Sequence, residues 1–240
     1  LREAWLMTEF WDRQFNLSVG RLDLTSFFDT NAAANDEYSQ FMSDALVNNP
    51  TLGLSENGAG MAGIYDPKNG LTVKLGYQQS SSEATNLSNA LFQMAEVGYQ
   101  LNPFGTGEGN YRLWVRRDNT EENLKAFGLS LDQKIANGIT LFGRYGDAES
   151  SAGMDDDKFY SFGVQFADGR GFYPEDAWGL GFAHYKLGTG DEEDLMEGFY
   201  NLKMTQKLQL SLHLSHMKEQ HPGVEDISYY MPGLRLQTSY

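Results

Sequence analysis

In the segment NYRLWVRRDN, Arg112, Trp114 and Arg116 fall on alternate positions of a stretch that alternates throughout. Two guanidinium forks flanking an indole offer donors for hydroxyl and anionic oxygens, beside a flat plate that can stack on the apolar face of a sugar ring. Lys74, Arg144, Lys203, Arg235 and Gln237 recur at the same phase of their own segments, opposite the apolar residues. They predict a basic wall inside an otherwise acidic chain. A cation row that only shapes an electric field has the same pattern.

A complementary acidic set surrounds the stretch LTSFFDTNAAANDEYSQFMSDALVNNPTLGLSE, residues 24–56, which contains no Lys or Arg. Asp23, Asp29, Asp36, Glu37 and Asp44 belong to it. Facing the basic wall, these carboxylates would set up a transverse field that orders water and filters solutes by size and dipole. Strict alternation from Leu17 and Val19 turns Arg21 and Asp23 to the apolar side, unless Gly20 marks a bulge that re-aims them.

Other constellations carry less chemistry. His213 lies between Ser211 and Ser215 on a polar phase, but a general base needs a nucleophile or water within reach and an orienting partner, and the spacing supplies neither. No catalytic residue is expected, so the chain reads as a non-enzyme. Asp155, Asp156 and Asp157 offer oxygen ligands without the Gly and terminal Glu of an EF-hand loop, so no metal site and no cofactor are expected. Cysteine is absent, which removes disulfides and thiolate sites. A net charge of −15 argues against a nucleic-acid partner, since no basic face is left for phosphates.

The elements that must carry these residues are strands. Gly at 26 residues with 13 Tyr and 15 Phe suits turns and pleated faces. No apolar run approaches the ~18–20 residues of a spanning helix. Period-2 alternation recurs from EAWLMTEFW to YMPGLRLQTSY in about thirteen segments of ~8–11 residues, the length of a tilted membrane strand. Short turns such as Pro67-Lys68-Asn69-Gly70 and Thr205-Gln206-Lys207 alternate with longer acidic connections such as SSSEATNLSN, DAESSAGMDDD and GTGDEED. The 24–56 loop breaks this scale, with a short helix predicted over 37–47, and its natural place in a wide barrel is the lumen. Phe10, Tyr77, Tyr99, Tyr111, Phe127, Tyr145, Phe166, Trp178, Tyr230 and Tyr240 fall near the ends of apolar faces, as interface girdles do.

The pattern Gly20, Asp23, Phe28-Asp29, Asn31, Ala34, Gln40-Phe41, Asn49-Pro50 and Gly58-Ala59-Gly60 resembles the carbohydrate-selective porin (OprB) family, including its cyanobacterial outer-membrane relatives. HPG at 221–223 resembles the family's Asn-Pro-Gly-Gly turn without its Asn, the middle strands match only in pattern, and the family's N-terminal strands are missing. The resemblance implies a transmembrane antiparallel β-barrel of about sixteen strands that passes sugars or other small solutes by diffusion. Residues 1–240 would then form one barrel domain, the C-terminal part of a longer chain, because a strand count of about thirteen ending towards the periplasm leaves an odd number missing. The implied partners are outer-membrane lipid, lipopolysaccharide phosphates bridged by divalent cations to the acidic loops, and small solutes. Porins often form homotrimers, although no patch argues for a trimer over a monomer. The rivals are an anion-preferring general porin, a structural or sheathing barrel, an enzyme using His213 or His184, and a soluble all-β protein.

Overall fold

The computed structural model describes residues 3–53, 57–79, 91–103, 105, 107–119, 123–151 and 153–238. Thirteen strands follow in chain order: β1 (Ala4–Phe10), β2 (Phe15–Leu22), β3 (Gly58–Tyr65), β4 (Leu71–Gln79), β5 (Leu91–Leu101), β6 (Gly109–Asp118), β7 (Leu124–Ala136), β8 (Ile139–Ala148), β9 (Asp157–Phe166), β10 (Ala177–Lys186), β11 (Glu192–Thr205), β12 (Leu208–Gln220) and β13 (Ile227–Thr238). They form one sheet in which each strand pairs with its chain neighbours, with β1 and β13 as its edges. The fold is all-β, a single antiparallel sheet of thirteen strands in up-and-down order.

The two faces separate by parity. On β6, Leu113 and Val115 are exposed while Trp114 and Arg116 are buried; on β7, Phe127, Leu129 and Leu131 are exposed while Ser130 and Asp132 are buried. The exposed face continues through Leu75, Phe162, Leu180, Leu212 and Leu234. Such a broad apolar face is what lipid covers in a barrel. Aromatics border it: Phe166 stacks on Trp178 at 4.0 Å, Tyr99 pairs with Tyr111, and Phe127 packs on Tyr145 at 6.0 Å. Tyr240 lies outside the described residues.

Against the other face packs the β2–β3 connection, described over 24–53. It contains one short helix, α1 (Asp44–Val47), between single 3-10 turns at Leu24–Ser26 and Pro50–Leu52. Leu24, Phe28 and Leu52 enter one apolar cluster with Phe92, Met94 and Trp114 of the wall. Phe41, Leu46 and Val47 enter a second with Phe142, Phe159 and Phe199. The core therefore lies between loop and sheet. The loop touches both β4 and β13, which would stand roughly 43 Å apart on a flat sheet. Arg144 alone reaches both Asp29 and Leu46, so the loop is compact and the sheet must curl around it.

Three local expectations are corrected. The helix over 37–47 shrinks to Asp44–Val47, because the N–H groups of Met42 and Ser43 donate to the wall carboxylate of Glu197 instead of to helical carbonyls. Gly20 makes no bulge: its register runs unbroken against Trp5 and Gly60. Its φ of 151° lets the backbone approach β1, where a Cβ would lie 2.3 Å from the Ala4 carbonyl. Finally, Glu192 to Asp194 of GTGDEED extend β11, zipped by Lys186–Glu192 at 2.8 Å and His184–Asp194 at 2.7 Å.

Candidate channel site

Asp29 is the node of the loop–wall contact. Its φ of 53° puts it in the left-handed region, which Asp tolerates better than most residues, and this aims its carboxylate at the wall. Trp114 donates Nε1–H to Asp29 Oδ1 at 2.8 Å, and Arg144 donates Nε–H to Oδ2 at 2.7 Å. The Asp29 N–H donates to Glu96 Oε2 at 2.7 Å. Burial pushes the Asp29 carboxyl up to about 6, against the pull of the Arg144 charge and the two side-chain hydrogen bonds, with Glu96 adding to the rise.

The rest of the loop is held by its backbone. Lys74 Nζ donates to the Phe27 carbonyl at 2.7 Å and lies 2.7 Å from Glu96 Oε1. Arg144 Nη1 donates to the Leu46 carbonyl at 2.9 Å, and Arg116 Nε to that of Thr51 at 3.2 Å. Arg235 donates to the carbonyls of Glu37 and Gln40. In the reverse sense, Glu197 accepts from Met42 N–H at 2.7 Å and Ser43 N–H at 2.9 Å, with His213 Nδ1 at 2.8 Å on its far side. Wall glycines make the sockets: a Cβ on Gly146 would sit 1.8 Å from Thr51 Oγ1, and one on Gly76 would sit 2.6 Å from the Phe28 ring. Irregular backbone away from secondary structure must find such partners, and here charged side chains supply them.

Lys74, Arg112, Trp114, Arg116, Arg144 and Arg235 all fall on the inner parity, but they divide by level. Trp114 is a correction: fully buried and bonded to Asp29, it offers no open plate to a solute. Lys203 is more exposed and lies 3.3 Å from Glu175 at the turn end, and Gln237 is exposed nearby on β13, opposite Gln209. Of the acidic set, Asp29 alone reaches the wall by its side chain. Asp23 caps Thr25 N–H at 2.9 Å, Asp36 accepts from Tyr38 N–H at 2.8 Å, and Asp44 accepts from Asn48 Nδ2 at 2.6 Å. Glu37 contributes its carbonyl to Arg235. The acids and cations are therefore not simply opposed across a gap, because Asp29 and Arg144 meet directly.

The sequence reading missed the wall's own carboxylates, Glu96, Asp132 and Glu197. Each sits on the inner parity of its strand, and Glu96 is the direct register partner of Lys74. Comparing adjacent strands for opposite charges at one level would have found that pair. His213 is oriented by Glu197, and His184 lies on the outward face beside Asp194, so the two histidines form no common cluster.

Below the loop, at the turn end, a polar cleft of about 400 Å³ remains. Thr30, Thr72, Lys74, Glu96, Asn110 and Arg112 line it. Arg112 Nη1 lies 2.9 Å from Asp132 Oδ2, and Asn110 Nδ2 donates to Asp132 Oδ1 at 2.7 Å. The cleft thus presents donors and acceptors side by side, each cation compensated by a carboxylate.

No family model matches the chain. OprB of Pseudomonas putida superposes with a TM-score of 0.80 at 16% identity, covering 100% of this chain and 73% of that one. The chain has the fold of an OprB-like outer-membrane porin. Porin AaxA of Chlamydia pneumoniae is 28% identical over 183 residues, 71% of this chain and 41% of its own length. An uncharacterized protein of Aquifex aeolicus is 26% identical over 224 residues, 92% of this chain and 63% of its own length. The chain thus spans less than two thirds of either relative. The porin fold, with its exposed apolar face and aromatic borders, locates the chain as an integral protein of the bacterial outer membrane. Porins are channels rather than enzymes, and the similarity to porin AaxA is consistent with a non-enzyme.

Proposed function

We propose that the protein passes small hydrophilic solutes, sugars among them, by passive diffusion through a lumen that the 24–56 loop narrows. The observation that carries this reading is the inner wall beside the loop, where charged groups are already matched. Lys74 meets Glu96 at 2.7 Å and Arg112 meets Asp132 at 2.9 Å. A wall of matched charges has little net attraction for an ion but can exchange hydrogen bonds with the hydroxyls of a solute leaving part of its hydration behind. This favours a neutral polar solute over the anion preference of a bare cation row. Diffusion needs no cofactor and no catalytic group.

Outer-membrane lipid surrounds the apolar face in this reading, and lipopolysaccharide and sister copies in a homotrimer are its natural neighbours. Liposome swelling with the full-length protein tests the solute class. Entry rates should fall with sugar size from pentose to trisaccharide, with a bilayer reversal potential near zero in a salt gradient. Sugar-impermeable liposomes with a strong anion reversal potential would favour the general anion porin, and a closed channel the structural barrel.

A further inference from the structure

Charge is distributed unevenly between the two ends of the sheet. The connections on the side of the 24–56 loop, residues 23–57, 80–90, 119–123, 149–156, 187–191 and 221–226, contain no Lys or Arg in the sequence. Those at the turn end contain Arg13, Lys68, Arg170 and Lys207. Strand residues at the loop end then divide by face. Outward, cations meet acids: Lys186 lies 2.8 Å from Glu192, Lys218 lies 2.9 Å from Asp226, and Lys158 stands in register with Asp147. On the inner parity, Asp118, Asp157, Glu193 and Glu219 lie at the loop end of β6, β9, β11 and β12, each half-buried.

Neutral groups bond to these inner acids. Asp157 accepts from the Ser150 hydroxyl at 2.8 Å and the Gly188 N–H at 2.7 Å, and Glu219 accepts from the Tyr229 hydroxyl at 2.5 Å. Such donors favour the ionised carboxylate without cancelling its charge. Glu193 and Glu219 are direct register partners, so two carboxylates adjoin. Arg116 and His221 are the cationic side chains near this set among the described residues. Arg116 donates Nε–H to the Thr51 carbonyl and interacts with Asp118 and Asp157, while His221 meets Asp191 at 2.9 Å with Glu219 and Glu193 nearby. These two do not balance the carboxylates around them. Above the loop, a pocket of about 370 Å³ has the same bias: its charged residues, Asp44 and Glu193, are both acids, set beside Tyr185 and Met217. The loop therefore separates a negative vestibule from the charge-matched cleft below it.

We propose that this vestibule sorts solutes by charge, favouring small polyhydroxylated solutes that carry an ammonium group, amino sugars, over neutral and acidic solutes of equal size. This rests on the channel reading above and names its preferred solute class. Low-dielectric walls focus the field of the acids into the opening, which raises the local concentration of cations and lowers that of anions. The matched cleft then passes the solute by exchange of hydrogen bonds. Asp118, Asp157, Glu193 and Glu219 thus act at entry, before the solute reaches Lys74 and Arg112. The field extends ~30 Å at 0.01 M salt and ~3 Å at 1 M, so the preference belongs to dilute media. In concentrated salt the matched wall alone sets a reversal potential near zero.

Tracer entry into proteoliposomes holding the full-length protein tests this. The probes are glucosamine, glucose and glucuronate, in about 0.01 M and about 1 M KCl at a pH that keeps the amine charged. In dilute salt glucosamine should enter roughly three- to sevenfold faster than glucose, the effect of about one to two kT of potential, and glucuronate more slowly than glucose. In concentrated salt the three rates should converge. Glu193→Gln/Glu219→Gln should bring the dilute-salt ratio towards unity with glucose entry unchanged, while Glu192→Gln on the outward face keeps it. Equal entry of glucosamine and glucose by the wild type in dilute salt overturns the proposal without any variant. So does a preference that persists in concentrated salt, survives the double substitution or favours glucuronate. Glucose entry without a glucosamine preference strikes this inference and leaves the channel standing. A wild type that admits none of the three strikes the channel reading and this one with it.

Discussion

Arg112 and Arg144 illustrate two regions of one wall that began with the same sequence signature. Both are arginines on the inner parity, of β6 and β8 on either side of β7, yet Arg144 is sealed beneath the loop while Arg112 borders the open cleft. Around Arg144 every donor is directed at Asp29, Asn35 or the Leu46 carbonyl. Around Arg112 the partner is Asp132 and the remaining side faces the cleft. The difference is one of level along the sheet: cations at the loop's height hold the loop, and Arg112 below it borders the open cleft. Parity assigns a face and says nothing about level.

Breaking the sealed region should have the largest effect. Arg144→Ala removes the cation beside Asp29 and the donor to Leu46, leaving a buried carboxylate held by Trp114 without its counter-charge, and should cost about 3–5 kcal/mol of stability, read from the loss of the heat-modifiable folded band. A variant as stable as the wild type would remove Arg144 from its anchoring role. Glu197→Ala should come next, at about 1–3 kcal/mol, because it strands the Met42 and Ser43 N–H groups. Loss of loop protection in hydrogen exchange, centred on residues 41–44, is the accompanying readout.

pH sharpens the same region. The Asp29 carboxyl sits at about 6 when docked, above its ordinary value of 3.8, so the docked state binds more protons between those values. Docking should therefore be favoured by acid, weakening as pH rises from ~4 through ~6, and Asp29→Asn should flatten that slope. A slope of opposite sign would show the Arg144 attraction outweighing burial. In the open region, Arg112→Gln should change stability by no more than about 1–2 kcal/mol, yet shift the reversal potential towards cations. Lys203→Gln, which breaks an exposed pair with Glu175, should change stability by less than about 1 kcal/mol.

Much of this was legible beforehand, for physical reasons. The pleat fixes which residues share a face, so the inner cations, the lipid face and the thirteen strands followed from alternation. The extra charge of the 192–194 segment read as a loop because composition favours one, whereas cross-strand pairing with His184 and Lys186 extended the strand. Trp114 was placed on the right face and given the wrong work, since nothing local reveals that Asp29, 85 residues away, will cover it. The short α1 has the same origin: helix propensity over 37–47 was overridden by the Glu197 carboxylate, 155 residues from Met42. Docking of an irregular loop is decided by long-range partners, and periodicity carries no trace of them.

Single-channel conductance of the full-length protein in planar bilayers, with and without residues 30–50 replaced by a short Gly-Ser linker, tests the central claim most directly. The account predicts discrete open steps for the wild type and a clearly larger step once the loop is gone. Equal steps, or no wild-type channel at all, would contradict a lumen narrowed by a loop fastened to its charged wall.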